Sequence, residues 1–121
     1  MSPPVEVYLD ALAANDWDAL GRVVASDVER IGPYGDIYNG RAEYVTFLRD
    51  TFATLRAYEL TISRVLDAGS TMVVELRESV DDGDDRLHTR EAVVFDVLDG
   101  VITRIAVYLQ TSIREPRPRS V

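Results

Sequence analysis

The sequence of 121 residues has no cysteine, no lysine and a single histidine. Because the chain has no cysteine, disulfides, thiolate metal sites and thiol chemistry are all excluded. One histidine cannot form the cluster that zinc prefers, and with no cysteine it leaves no nucleophile–base–acid series to assemble. We therefore expect no metal and no cofactor. The exclusive use of arginine as the basic residue carries no information about function.

Long apolar runs and basic stretches are also missing. No segment approaches the roughly 20 apolar residues of a membrane span, and the first ten residues lack the basic and apolar regions of a signal peptide. The formal charge is −8, with 13 basic and 21 acidic residues, which argues against a phosphate-backbone partner. The expectation is a cytoplasmic protein that binds neither nucleic acid nor membrane.

The composition leaves room for one domain. Hydrophobic residues make up 46% of the chain, enough for a real core at this length. We predict a single domain over residues 1–113. From residue 114 to 121 the sequence has two prolines and no periodicity, so a disordered tail is expected.

Helical periodicity dominates the first half. Ser2-Pro3-Pro4 is a plausible helix start, and the apolar spacing that follows predicts a helix to about Ala14. Asn15-Asp16 caps a second helix that ends near residues 26–27. After a short strand at 28–31 and a loop at 32–40, a third amphipathic helix is expected from residue 41 to about residue 55.

Alternating patterns dominate the second half. Strands are predicted over 58–66 and 71–80, and a hairpin over 86–113 turns at Asp99-Gly100. In the last strand the odd-numbered residues from Val101 to Leu109 form the more apolar face. The fold class is α+β, with three helices covering a curved, mainly antiparallel sheet whose concave side holds a pocket or a core.

Glu91 is the best candidate for a buried ionisable group. It shares one face of its strand with Val93, Phe95 and other apolar residues. A desolvated carboxyl has a raised pKa, which suits a general base that removes a proton beside a carbonyl. The alternative is a structural ion pair with Arg104, Arg90 or another basic group.

Aromatic residues offer further candidates. Tyr34, in the loop Gly32-Pro33-Tyr34-Gly35, could donate its hydroxyl to a substrate oxygen, and Tyr8 or Trp17 could line a pocket for a planar ligand. More often such aromatic residues serve packing alone. His88 falls on the opposite, convex face of its strand, where an interface role is expected.

Two acidic features are most simply structural. The run Asp81-Asp82-Gly83-Asp84-Asp85 lacks the spaced ligands and distal glutamate of a calcium-binding EF-hand loop. It is therefore interpreted as a solvated hairpin tip. Asp36, two residues before Tyr38, is interpreted as a turn residue.

The order of elements, with the segments 15–20 (AsnAspTrpAspAlaLeu), 39–44 (AsnGlyArgAlaGluTyr) and Asp99-Gly100, resembles the SnoaL-like branch of the NTF2-like superfamily over residues 4–113. The resemblance implies a cone-shaped pocket and activities that include ketosteroid isomerase, epoxide hydrolase and polyketide cyclase. It also implies homodimers packed through the convex face of the sheet. Four residues are expected on that face: Ala92, Val94, Ala106 and Tyr108.

Known catalytic residues of the family do not carry over. Gly32 stands where ketosteroid isomerases have a base before Pro-x-Gly, and Val93 stands at their oxyanion-hole acid. Limonene epoxide hydrolases have an arginine and an aspartate where this chain has Leu76 and Glu78, and Val107 stands at their second acid. Among these positions and their neighbours, Glu91 and Glu78 are the acids left for a cyclase-like or isomerase-like role.

Two hypotheses follow. In the first, the protein is a cofactor-independent isomerase or cyclase for an apolar carbonyl compound, with Glu91 and Tyr34 as catalytic residues. Its expected substrate-binding residues are Tyr8, Trp17, Phe52, Met72, Leu76, Glu78, Val93, Phe95 and Val107. In the second, it is a non-catalytic ligand-binding or dimerisation module. There the cone is packed shut by Tyr8, Trp17, Leu48, Phe52, Met72 and Phe95.

Overall fold

The computed structural model describes residues 1–118. Three helices are present in this part: α1 (Pro3–Ala14), α2 (Trp17–Val23) and α3 (Arg41–Phe52). The strands are β1 (Val24–Ile31), β2 (Ile37–Asn39), β3 (Glu59–Asp67), β4 (Thr71–Asp82), β5 (Asp85–Leu98), β6 (Val101–Leu109) and β7 (Ile113–Pro116). None of the helices in residues 1–118 is long and apolar enough to cross a membrane.

All strands belong to one sheet, which confirms the predicted α+β architecture. Its order is β2-β1-β6-β5-β4-β3, with β7 on a separate part of β5. β1 runs parallel to β6, and every other pairing is antiparallel. The helices bury their apolar side against one face of this sheet, so the core lies between Leu9 and Leu48 of the helices and Phe95 and Ile105 of the strands.

The β5–β6 hairpin turns where the sequence predicted. Asp99 and Gly100 both have positive φ, at 53° and 79°, and Leu98 pairs with Val101 across the turn. Two-residue hairpin loops of this type need positive φ at both central positions, which Asp-Gly tolerates well. The local sequence therefore fixes the register of these strands.

The second helix is shorter than predicted. It ends at Val23, and β1 begins at Val24 rather than at Val28. Val24 is fully buried and pairs with Ile102 in the parallel β1–β6 ladder. This long-range strand pairing outweighs the helical spacing of Trp17, Leu20 and Val24.

The apolar face of β6 also differs from the predicted alternation. A register shift between Asp96 and Val97 of β5 interrupts the pairing with β6. Ile102 and Ile105 are consequently both fully buried, although one residue is even-numbered and the other odd-numbered. An irregularity of this kind changes which side chains face the core, and simple alternation cannot anticipate it.

The predicted disordered tail is wrong for residues 114–116. They belong to β7, which pairs with residues 85–88 of β5, beyond the point where β6 covers that strand. The free edge of β5 supplies main-chain partners that compensate for the lack of a hydrophobic pattern. Residues 119–121 of the predicted tail lie outside the described residues.

The acidic hairpin tip holds this last strand. Arg114 contacts Asp82 at 2.6 Å and Asp85 at 3.5 Å, and Arg117 contacts Asp81 at 3.0 Å. The tip therefore pairs with the arginine-rich end of the chain, whereas the sequence predicted solvated carboxylates.

Candidate functional site

A cavity of about 210 Å³ lies between α1, α3 and the concave face of the sheet. Most of its wall is apolar. The polar residues that line it are few: Tyr8, Arg30, Tyr44, Thr51, Glu78 and Glu91. An apolar cavity with a small number of polar groups is the usual form of a small-molecule site.

Glu91 lies on β5 between apolar neighbours of the adjacent strands. It pairs with Leu76 of β4 on one side and with Leu109 of β6 on the other. Burial is the main reason that the pKa of the Glu91 carboxyl is raised far above its ordinary value, and the nearby Glu78 adds to the effect. Arg30 opposes it. Glu91 therefore holds a proton at neutral pH.

Glu78 lies two residues beyond Leu76 on β4, where it pairs with Thr89. Its carboxylate is hydrogen-bonded with Glu91 and accepts a hydrogen bond from the Tyr58 hydroxyl. Burial and the charge of Glu78 raise the pKa of Tyr58. Glu91, Glu78 and Tyr58 thus form one hydrogen-bonded series in which protonated Glu91 donates to Glu78.

Tyr8 of α1 and Tyr44 of α3 form a second polar group. Their hydroxyls share a buried hydrogen bond, and the Tyr8 ring packs edge-on against Phe95 with 5.2 Å between centroids. Burial raises the pKa of Tyr44 to about 12 and that of Tyr8 well above its ordinary value. Both hydroxyls are hydrogen-bond donors at any physiological pH.

Arg30 of β1 is the cation of the cavity. Its side chain is 12% exposed and its Nη1 donates to Asp36 Oδ2 at 2.9 Å. The guanidinium carbon lies 5.1 Å from the centroid of the Phe47 ring and 5.9 Å from that of Tyr44. Asp36 is therefore an ion-pair partner in addition to the turn residue that the sequence predicted.

Eight predicted site residues line the cavity, and three do not. Those that line it are Tyr8, Phe52, Leu76, Glu78, Glu91, Val93, Phe95 and Val107. Tyr34 is 87% exposed at the tip of its loop, and Pro33 is the loop residue that reaches the cavity. Trp17 packs behind Phe52, with ring centroids 5.2 Å apart, and Met72 is sealed in the core at 1% exposure.

Three polar residues that the structure brings to this region were not predicted from the sequence: Arg30, Tyr44 and Tyr58. Tyr44 falls at a core position in the spacing of the amphipathic third helix, so packing alone accounts for it. Arg30 follows Val28 by two residues and therefore shares the inward face of β1, a pattern that could have identified it. Tyr58 carried no comparable sign, because its contact with Glu78 depends on the long-range β3–β4 pairing.

The expectation that no serine–histidine–acid series could form is wrong. Ser79 Oγ lies 2.7 Å from His88 Nδ1, and His88 Nε2 lies 2.9 Å from Glu115 Oε2. Ser79 is only 2% exposed, so no substrate reaches its hydroxyl. The series links β4, β5 and β7 and is structural. In residues 1–118 no group of three or more metal-ligating side chains is clustered.

Several solved structures of other proteins are similar to this one. A protein of Catenulispora acidiphila with a ketosteroid isomerase-like fold, solved with trimethylamine, has a TM-score of 0.78 at 20% identity over 89% of this chain and 86% of its own. An LEH-like epoxide hydrolase of M. tuberculosis has a TM-score of 0.77 at 25% identity, over 88% of this chain and 80% of its own.

A candidate polyketide cyclase of Sinorhizobium meliloti has a TM-score of 0.77 at 20% identity, over 88% of this chain and 94% of its own. No curated protein is similar in sequence. The model of the SnoaL-like domain matches residues 5–105. The chain therefore belongs to the SnoaL-like domain family.

Proposed function

We propose that the protein binds a small carbonyl compound in this cavity and catalyses an acid/base isomerisation or cyclisation of it. The observation that carries the proposal is the hydrogen-bonded Glu91–Glu78 pair, which shares one mainly apolar cavity with the Tyr8–Tyr44 pair. The names of the similar structures, which include a ketosteroid isomerase-like fold and a candidate polyketide cyclase, support the same class of reaction.

The size of the cavity limits the substrate. A dry cavity of roughly 150 Å³ holds a molecule as large as benzene, and this one measures about 210 Å³. The substrate class that fits best is a monocyclic ketone with short substituents. A fused polycyclic ketone would require the cavity to open.

The reaction needs no external oxidant or reductant. The Glu78 carboxylate takes the proton from the carbon beside the carbonyl, and the C–H electron pair becomes the carbon–carbon double bond of an enolate. Tyr8 donates a hydrogen bond to the enolate oxygen while its charge develops. Protonated Glu91 keeps Glu78 hydrogen-bonded, and the pair returns a proton to a different carbon in an isomerisation.

The test uses a panel of monocyclic β,γ-unsaturated ketones, whose conjugated products absorb in the ultraviolet. Deuterium exchange beside the carbonyl, followed by NMR, detects enolisation even where no isomer accumulates. We expect Glu78→Gln, which removes the base, to slow the reaction by about 100- to 10,000-fold and Tyr8→Phe by about 100- to 1,000-fold. Glu75→Gln, at an exposed glutamate paired with Arg64, is the matched control.

Exchange no faster than in buffer, for every ketone, would overturn the proposed reaction. Ketones that perturb the NMR signals of the cavity residues without any exchange would instead support the non-catalytic ligand-binding alternative.

A further inference from the structure

We propose that Arg30 is a positioning residue of the cavity, which fixes Tyr44 as the donor in the Tyr44–Tyr8 hydrogen bond so that Tyr8 keeps its own proton for a ligand oxygen. The inference rests on the proposed function, because it specifies how the site binds the oxygen of its carbonyl ligand. It concerns a residue that acts through its neighbours.

The position of Arg30 supports an indirect role. Its side chain is 12% exposed, and its Nε atom is buried without a hydrogen-bond partner in the described part of the chain. A ligand in the cavity does not reach that nitrogen. The guanidinium group instead lies beside the rings of Phe47 and Tyr44, so its charge acts first on the tyrosine pair.

The proton count gives the direction of the hydrogen bond. Each tyrosine hydroxyl has one proton, and an arginine can only donate. A cation beside Tyr44 favours negative charge on the Tyr44 oxygen, so that Tyr44 becomes the better donor of the two. Tyr44 then gives its proton to the Tyr8 oxygen, and the proton of Tyr8 remains available to the cavity.

Electrostatics in the site agree with this direction. Burial raises the pKa of both tyrosines, and Arg30 opposes the rise in each. The charge that works against Arg30 comes from Glu78, which faces the same cavity from β4. Arg30 is thus the positive group that balances the acidic wall.

Gly32 and Asp36 hold Arg30 in place. The Asp36 carboxylate lies over Gly32, in the space that a Cβ atom at residue 32 would occupy, and from there it accepts the hydrogen bond of Arg30. Gly32 itself has no positive φ. An alanine at this position therefore displaces the carboxylate of Asp36 without straining the backbone.

The experiment uses para-nitrophenol, a phenol whose neutral and ionised forms absorb at different wavelengths and whose oxygen mimics that of an enolate. The ionised fraction of the bound dye is measured at the pH where the free dye is half ionised. We expect the wild-type protein to favour the ionised form. Arg30→Gln should lower the ionisation constant of the bound dye by about tenfold, and Arg30→Lys should largely restore it.

Three further variants separate this role from general structure. Tyr8→Phe should abolish the preference for the ionised dye. Gly32→Ala should give an intermediate ionised fraction, because Arg30 keeps its charge but is no longer held in place by Asp36. Arg49→Gln removes the same charge from the exposed end of α3 and should change nothing. If Arg30→Gln does not fold, Asp36→Asn repeats the test with a smaller change.

An unchanged ionised fraction in Arg30→Gln, or an equal loss in Arg49→Gln, would overturn the inference, as would a wild-type protein that does not bind the dye. Turnover of ketones is measured separately. Dye ionisation that depends on Arg30, in a protein that does not turn over ketones, would contradict the proposed reaction and leave the role of Arg30 standing.

Discussion

Glu91 and Glu78 lie diagonally across two neighbouring strands and are hydrogen-bonded inside an apolar cavity. The register explains the contact: Glu91 pairs with Leu76, and Glu78 pairs with Thr89, two positions farther along β4. Residues in such diagonal positions on one face are within reach of long side chains. Ionising two carboxyl groups this close together costs free energy because like charges repel, so one of them keeps its proton.

The buried Glu91–Glu78 pair should make the free energy of unfolding fall as the pH rises. Because the pKa of Glu91 is higher in the folded protein than in the unfolded chain, the folded state binds more protons above pH of about 4.3. The free energy of unfolding then falls with increasing pH until Glu91 ionises. Glu91→Gln should remove this loss and stabilise the protein by about 1 to 3 kcal/mol at pH 7.

Urea unfolding of the wild-type protein and of Glu91→Gln between pH 4 and pH 8 measures the effect, since titrations common to both proteins cancel in the difference. Glu75→Gln, at the exposed partner of Arg64, should give a difference that varies little with pH. A Glu91→Gln protein that is less stable throughout this range would contradict a protonated Glu91.

The buried Tyr8–Tyr44 hydrogen bond should show strong coupling between its two residues. Each single phenylalanine substitution leaves the other hydroxyl without its buried partner, at a cost of about 1 to 3 kcal/mol. The double substitution removes both hydroxyls and should cost less than the sum of the two single changes. Urea unfolding of the four proteins measures this. Strictly additive costs would show that the hydroxyls do not depend on each other.

Ion pairs between arginine residues and the acidic hairpin tip should hold β7 on the edge of β5. Replacing Arg114 and Arg117 with alanine should speed amide hydrogen exchange at residues 113–115, and high salt should do the same in the wild-type protein. The urea midpoint should change little, because all four residues of β7 are exposed. Arg49→Ala serves as the control. Unaltered exchange in the double variant would show that the main-chain pairing with β5 suffices.

The convex face of the sheet should mediate a homodimer. Tyr108 is 60% exposed on β6, and a large aromatic side chain left in water favours association. Tyr108→Glu should shift the protein towards the monomer, as measured by sedimentation at several concentrations. Tyr34→Glu, at another exposed tyrosine, is the control. A wild-type protein that is monomeric at all concentrations would refute the prediction.

The sequence predicted the fold well where local patterns determine it. The Asp99-Gly100 turn and the inward position of Glu91 follow from turn chemistry and from the two-residue period of a strand. The end of α2, the irregularity in β6 and strand β7 follow from long-range pairing, which a single sequence does not encode locally. Long-range pairing also explains why the site was predicted only in part. Glu91 was identified alone, whereas its contact with Glu78, and that of Glu78 with Tyr58, depend on the register of three strands.

The protonation of Glu91 in the cavity at neutral pH is measured by a titration of its carboxyl carbon by NMR, with Glu91→Gln used to assign the signal. We predict a signal that stays in the protonated position through pH 7. A titration at or below the ordinary glutamate value of about 4.3 would contradict the account, because it would show a solvated or ion-paired carboxylate.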